Sequence, residues 1–283
     1  MKKATITKRV LGFTMALAMM LSMFSTTAFA TTPPRSAYDL GVNGNDWTIV
    51  ADQNTVLDPI TVFAYSDNTY MNTFSFDSDE YQYIHWTSSN PSVATVNPAG
   101  YSDTATITTG STEGEATIYI NYDNEIDTDV TIPINVVVEG TTVTDSVDNV
   151  NVSIDGTGDA LGNPDTNFTL TGVDVPLFSL KDDVFGSGFD DGDVLKKTPT
   201  ALHALLYALE LHNGGHGTSD ITDPNWNWDW VQNNVTVDYQ GTYVVTIDGD
   251  SWSWEYNIGG GTPPAQSASI YKLAGGESVN WVY

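Results

Sequence analysis

Three tryptophans, Trp226, Trp228 and Trp230, alternate with polar residues in Asp223-Pro224-Asn225-Trp226-Asn227-Trp228-Asp229-Trp230. On an extended backbone this alternation puts the three rings on one side, and indoles bracketed by amide and carboxylate groups suit the face of a sugar or a peptide. The same rings would serve equally to roof a neighbouring helix. The expectation is core for at least one ring and surface recognition for another. A second constellation is Asp182, Asp183, Asp190, Asp191 and Asp193, interleaved with Gly186, Gly188 and Gly192. Hard oxygen ligands on a glycine-bent loop suit Ca²⁺, although the spacing is not that of an EF-hand, and a solvated loop of an acidic chain has the same composition. His212 and His216 stand four apart, but Gly214 and Gly215 follow His212 closely, interrupting the helical geometry that would aim both rings at one metal, and no third ligand is apparent. The sequence has no Gly-x-Ser-x-Gly, no His-Glu-x-x-His, no phosphate loop and no cysteine. Carboxylates are abundant, yet no pair is singled out for hydrolysis. These observations predict a protein that is not an enzyme.

The element that must position these residues is a helix over 198–215. Thr198 is the expected cap, Pro199 the first-turn residue and Gly214 the left-handed stop. At 100° per residue Ala201, Leu202, Leu205, Leu206, Ala208 and Leu209 share a sector, and His203, Tyr207 and Glu210 fall opposite. This predicts one face buried on a sheet, Leu205 and Leu209 sharing a core with Trp281, and a polar strip turned away from it.

Residues 1–30 read as a secretory signal peptide. Lys2, Lys3, Lys8 and Arg9 precede an apolar run that ends at the small-x-small site Ala28-Phe29-Ala30. No later run is long and apolar enough for a membrane span. Taking these four basic residues from the total of nine leaves five against thirty-six Asp and Glu, a formal charge of −31. Such a field disfavours nucleic acid and anionic membrane, and fits a cationic partner, a divalent ion or plain solubility. With no cysteine available, stability must come from packed cores, and about 250 residues suffice for two domains.

Residues 31–44, punctuated by Pro, Ser and Gly, read as an exposed leader. Over 45–139 short alternating runs recur at 47–51, 60–65, 81–86, 93–96, 104–108, 116–121 and 132–138, the pattern of a β-sandwich. The polar stretch 140–147 reads as a linker. From 148 to 283 strands are expected at 150–154, 168–175, 235–239, 243–247, 252–258 and 269–283, with the helix among them.

Two resemblances refine this reading. Trp86-Thr87-Ser88-Ser89-Asn90-Pro91-Ser92-Val93-Ala94-Thr95-Val96, with Gly114-Glu115-Ala116-Thr117-Ile118, resembles the signature of bacterial immunoglobulin-like domains of group 2. That family implies a spacer or adhesive module on bacterial surface proteins, without catalytic residues. The second half is similar to the transcobalamin-like C-terminal domain, in bacteria a secreted domain of largely unknown function. The likeness rests on Thr200-Ala201-Leu202-His203-Ala204-Leu205, on Trp254-Glu255-Tyr256-Asn257-Ile258-Gly259, and above all on Tyr271, Leu273, Gly276, Glu277, Val279, Trp281 and Tyr283, where the family shows Tyr-x-Leu-x-x-Gly-Asp-x-Val-x-Trp-x-Tyr. Vertebrate vitamin B12 carriers close this domain on cobalamin together with a large helical domain that is absent here, so cobalamin ranks behind other ligands.

The expected architecture is mainly β: an immunoglobulin-like β-sandwich followed by a smaller α+β domain with one helix packed on an antiparallel sheet. The expected role is an exported bacterial surface or extracellular-matrix protein, a non-catalytic module binding a glycan, a peptide or a surface protein. The alternative is a structural subunit of an extracellular assembly, self-associating by addition of the 31–44 leader to another subunit's sheet edge.

Overall fold

Alternation of apolar and polar residues becomes strand almost throughout the computed structural model, which describes residues 35, 37–43, 47–98, 100–123, 130–156, 167–238, 243–251 and 254–283. The signal peptide expected at 1–30 and the start of the leader, 31–34, lie outside the described residues. The chain is mainly β. In the N-terminal unit the strands are β1 (Asp39–Val42), β2 (Thr48–Asp52), β3 (Ile60–Tyr65), β4 (Thr73–Phe74), β5 (Ile84–Ser88), β6 (Ala94–Asn97), β7 (Gly100–Tyr101), β8 (Thr104–Thr109), β9 (Gly114–Tyr122) and β10 (Val130–Glu139). One sheet runs β1-β3-β8-β6 with β4 beside β3; the other runs β2-β10-β9-β5-β7. Inward residues of both sheets, among them Leu40, Val62 and Ile107 from the first and Trp86, Ile118 and Ile134 from the second, share one core. Trp86 fills its centre at 1% exposure and donates its indole N–H to the Ser102 carbonyl at 2.7 Å.

Two expectations about this unit are corrected. The leader is not exposed over the stretch 39–42: β1 pairs with β3 from Asp39↔Tyr65 to Val42↔Val62, and Leu40 and Val42, with Ala37 before them, are buried. Its Gly and Ser content obscured a strand only four residues long. These residues complete their own sheet, so 39–42 are not spare for a neighbour's edge. The strand expected at 81–86 begins only at Ile84, after a 3₁₀ turn at Tyr81–Tyr83.

The second unit comprises β11 (Ser146–Asp155), β12 (Asn167–Pro176), α1 (Ala201–Asn213), α2 (Asp229–Asn234), β13 (Val235–Val237), β14 (Val244–Ile247), β15 (Asp250–Ser251), β16 (Glu255–Ile258) and β17 (Ser278–Val282). Its main sheet is ordered β12-β11-β17-β16, and β11 and β17 run parallel, so the sheet is mixed rather than antiparallel. β13-β14-β15 form a separate small sheet. The 140–147 linker shrinks, because β11 already begins at Ser146 and Val147 is buried.

α1 packs on β11, β12 and β17. Its cap is Thr200, two residues later than expected, because the Thr200 side chain and the His203 ring satisfy each other's backbone N–H groups in a capping box. Gly214 is right-handed at φ −71°, and Gly215 at φ +69° makes the left-handed stop. Leu205, Leu209 and Trp281 share one core, as the helical pattern predicts. Leu205→Ala is expected to cost about 2–5 kcal/mol and Trp281→Ala about 3–5 kcal/mol, measurable as a lower urea midpoint with an unchanged slope.

The polar strip of α1 is a correction. His203, Tyr207 and Glu210 are 1%, 2% and 0% exposed, so α1 is enclosed on all sides from Ala201 to Glu210. Helical periodicity names the most apolar face, but a second layer built from Phe178, Trp226, Trp228 and α2 covers the other. The polar side chains of the strip each have a partner. Tyr207 donates its hydroxyl to the Ser219 carbonyl at 2.5 Å, and the Glu210 carboxylate takes the Val231 N–H at 2.7 Å and pairs with His216 Nε2 at 2.8 Å.

The two cores meet at a third, small cluster of Val137, Leu195 and Ile270 with Val50 packed against it. Around it Val50 N–H, on the edge strand β2, donates to the Gly192 carbonyl at 2.9 Å, which occupies an otherwise open sheet edge. Glu139 is buried at the junction and accepts the backbone N–H groups of Lys196 and Lys197 at 2.8 and 3.0 Å. Burial raises its carboxyl above the ordinary range, partly offset by those two bonds. Lys197 pairs with Asp52, Lys272 with Glu113, and Gln266 bonds Glu115. Strand ends, buried carboxylate and ion pairs therefore bind the two units to each other over several segments.

Candidate ligand-binding cleft

The tryptophan triad does not form a platform. Trp226 and Trp228 are 9% and 7% exposed, and Trp230 is half-buried against the same core. The segment is not extended: Asn227 Oδ1 accepts the Asp229 N–H at 3.1 Å and α2 starts there, which breaks the two-residue period. Trp226 stacks on Tyr207 at 5.5 Å and lies 4.6 Å from the His216 ring; Trp228 lies 4.4 Å from Phe178. The three rings roof α1, the core alternative of the sequence reading. His212 stacks on Phe168 at 3.9 Å while His216 pairs with Glu210, so the two histidines serve different neighbours.

The five aspartates also separate. Asp183 accepts the Ser179 N–H at 2.7 Å on a π-helical turn, Leu180–Phe185, that also holds Asp182. Asp190 accepts the Gly192 N–H at 3.0 Å, and Asp191 pairs with Lys196 at 3.3 Å. Asp182, Asp183 and Asp191 border one cavity, but Lys196 borders it too. Asp193 is buried on the far side, facing the junction. Among the described residues no group of three or more His, Cys, Asp or Glu side chains is placed to hold a metal ion. The Ca²⁺ expectation thus lacks a converged ligand set, because hard-ion binding needs six to eight oxygens around one point.

What the fold does bring together is a cleft between the two units. A cavity of about 460 Å³ is bordered on one side by Trp47, Thr48, Glu115 and Asn135 and on the other by Asp193, Asp238, Tyr243 and Gln266. Trp47 and Tyr243 are 43% and 71% exposed, rings that folding leaves unburied. Asp238 Oδ1 accepts the Tyr243 N–H at 2.9 Å and Asp238 N–H donates to the Tyr243 carbonyl at 2.9 Å, which holds the two residues side by side. Glu115 is held by Gln266. A second cavity of about 290 Å³ shares Tyr243, Ala265, Gln266 and Ser267 with the first and adds Trp254, Tyr256 and Trp281. The Tyr256 ring stacks on Trp281 at 5.3 Å and its hydroxyl donates to the Gln266 carbonyl at 2.6 Å; burial raises that phenol well above its ordinary pKa. The two cavities adjoin at the four shared residues, the first lined by acids and amides and the second by aromatic rings, and their volumes suit small ligands or a few peptide residues.

Sequence reasoning missed this cleft because its lining comes from the residue before β2, from β9 and β10, from Asp193, from Asp238 and Tyr243 and from 265–267. No local spacing joins them. The one available signal was an aromatic residue at each strand start, Trp47 and Tyr243, with no helical face to cover it.

No protein-family model matches the chain, and no curated protein matches it. No described helix is long and apolar enough to cross a membrane.

Proposed function

We propose that this chain is an exported bacterial surface or matrix protein that binds a ligand, without transforming it, in the cleft between its two units. The N-terminal sandwich acts as a bacterial immunoglobulin-like spacer and as one wall; the transcobalamin-like second unit supplies the other. The observation that carries the reading is the cleft itself, where the exposed rings of Trp47 and Tyr243 border one cavity with carboxylates and amides on a braced junction. Exposed aromatics beside polar groups in a concave, preformed site are what non-covalent recognition requires. The secretory leader and the lack of any recognised catalytic constellation agree with it.

The test is a glycan array and a peptide array probed with residues 31–283 and with Trp47→Ala and Tyr243→Ala. At least one saturable ligand is expected, with either substitution weakening it tenfold or more, about 1.4 kcal/mol. Absence of any saturable ligand, or ligands indifferent to both substitutions, overturns the cleft as the site.

A subunit of an extracellular assembly is the second reading, favoured by one feature. β1 lies at the end of its sheet, next to Tyr38, Tyr70 and Met71, which are 53%, 52% and 85% exposed. Open edges with apolar neighbours promote association. Light scattering at millimolar concentration decides: a monomer throughout sinks this reading.

A further inference from the structure

We infer that the ligand of the cleft is an extended peptide carrying a lysine or arginine side chain, whose cationic group enters the acidic end while flanking residues lie along the aromatic end. The inference rests on the proposed reading of the cleft as the binding site and specifies its chemistry.

The first observation is the charge of the lining. Glu115, Asp193 and Asp238 border the first cavity, and among the described residues no Lys, Arg or His borders either cavity. Among the described residues neither Glu115 nor Asp238 has a basic partner within ion-pair distance, whereas the nearby Glu113 has Lys272. A neutral ligand seated here would strip water from these anions and return no countercharge. A cation returns it, and charge-assisted hydrogen bonds to carboxylates are about twice as strong as neutral ones. Trp47 and Tyr243 add ring faces that attract ammonium and guanidinium groups. The formal charge of −27 over the whole sequence draws a cation toward the surface and repels an anion.

The second observation is the length and polarity of the groove. The two cavities share four residues, so a ligand reaching both is longer than one side chain. The aromatic end has Trp254, Tyr256 and Trp281 in its walls, and the flanking side chains of a peptide pack against such ring surface. A lone amine or a metal ion satisfies the acids but leaves this end empty; an extended peptide uses both.

Calorimetric titration of residues 31–283 with acetyl-Ala-Lys-Pro-Lys-Ala-amide, with the same peptide acetylated on both lysines, and with chitotetraose tests this. The lysine peptide is expected to bind at least tenfold tighter than its acetylated form and to weaken between 20 and 200 mM NaCl. Asp238→Asn keeps the oxygen that accepts the Tyr243 N–H and removes one charge; it should weaken the lysine peptide severalfold and leave the neutral ligands unchanged. Tyr243→Ala should weaken it tenfold. If chitotetraose or the acetylated peptide binds as well as the lysine peptide and is lost in Tyr243→Ala, the cationic inference fails while the cleft stands. If the lysine peptide binds but ignores both substitutions, it is held by diffuse surface charge, and inference and cleft fail together. If the lysine peptide does not bind, the inference fails, and the arrays alone decide the cleft.

Discussion

Glu210→Ala is expected to destabilise the second unit by about 2–6 kcal/mol, because it leaves two buried hydrogen-bonding groups without their partner at about 1–3 kcal/mol each. Glu210 is wholly buried on α1, and its two oxygens connect three elements: Oε1 pairs with His216 at 2.8 Å, and Oε2 takes the Val231 N–H at 2.7 Å in the first turn of α2. Alanine leaves that N–H and the His216 ring, itself packed on Trp226, without their acceptor. Against a total stability of about 5–15 kcal/mol, such a loss brings the unit near unfolding. Glu210→Gln retains an oxygen for Val231 and should cost markedly less. Urea denaturation followed by near-ultraviolet circular dichroism, which reports the Trp226–Trp228 packing, is the measurement. An Ala variant within about 1 kcal/mol of the parent would mean that α1 and α2 are not joined through this carboxylate.

The second large effect depends on pH. His203 is 1% exposed; its Nε2 lies 3.0 Å from the Phe178 carbonyl and its Nδ1 2.8 Å from the Thr200 hydroxyl. These partners fit a neutral ring that donates from Nε2 and accepts at Nδ1. Burial lowers its pKa to about 4, with the Phe178 bond opposing the shift. Above about pH 6.5 the ring is neutral in both states and its contribution is complete. As pH falls from there toward 4 the unfolded chain binds a proton that the folded chain refuses, so stability declines by up to about 1.4 kcal/mol per pH unit, roughly 3 kcal/mol in all. His203→Gln should lose this component, so its difference from the parent must narrow on acidification; carboxylates such as Glu139 titrate in both proteins and cancel in the comparison. Parallel pH profiles for the two proteins would contradict a neutral buried His203.

Both predictions concern residues whose type and position were legible but whose burial was not. Strand positions such as 60–65 follow directly from alternation, and the apolar sector of α1 correctly joins Leu205 and Leu209 to Trp281. The polar strip was misplaced for a general reason: periodicity measures polarity, whereas burial of a polar group depends on a partner supplied from afar, as Phe178, Ser219 and Val231 do for His203, Tyr207 and Glu210. The tryptophans failed as a surface motif because one side-chain-to-backbone bond at Asn227 starts α2 and turns a period of two into a helical turn. The aspartates were conspicuous by number, yet number does not set convergence. The cleft arises from packing one unit against the other through Glu139, Lys197 and the Val50–Gly192 bond, and such contacts between distant segments leave no spacing in the sequence.

The central claim is that ligand enters between the two units and not at the tryptophan-rich roof of α1. The most direct measurement is a titration, followed by the indole N–H resonances of the eight tryptophans, with the lysine peptide or with the tightest ligand found on the arrays. Trp47 is expected to shift on saturation while Trp226 and Trp228 stay in place. Shifts confined to Trp226, Trp228 and Trp230, with Trp47 unmoved, would contradict the account and return recognition to the tryptophan segment.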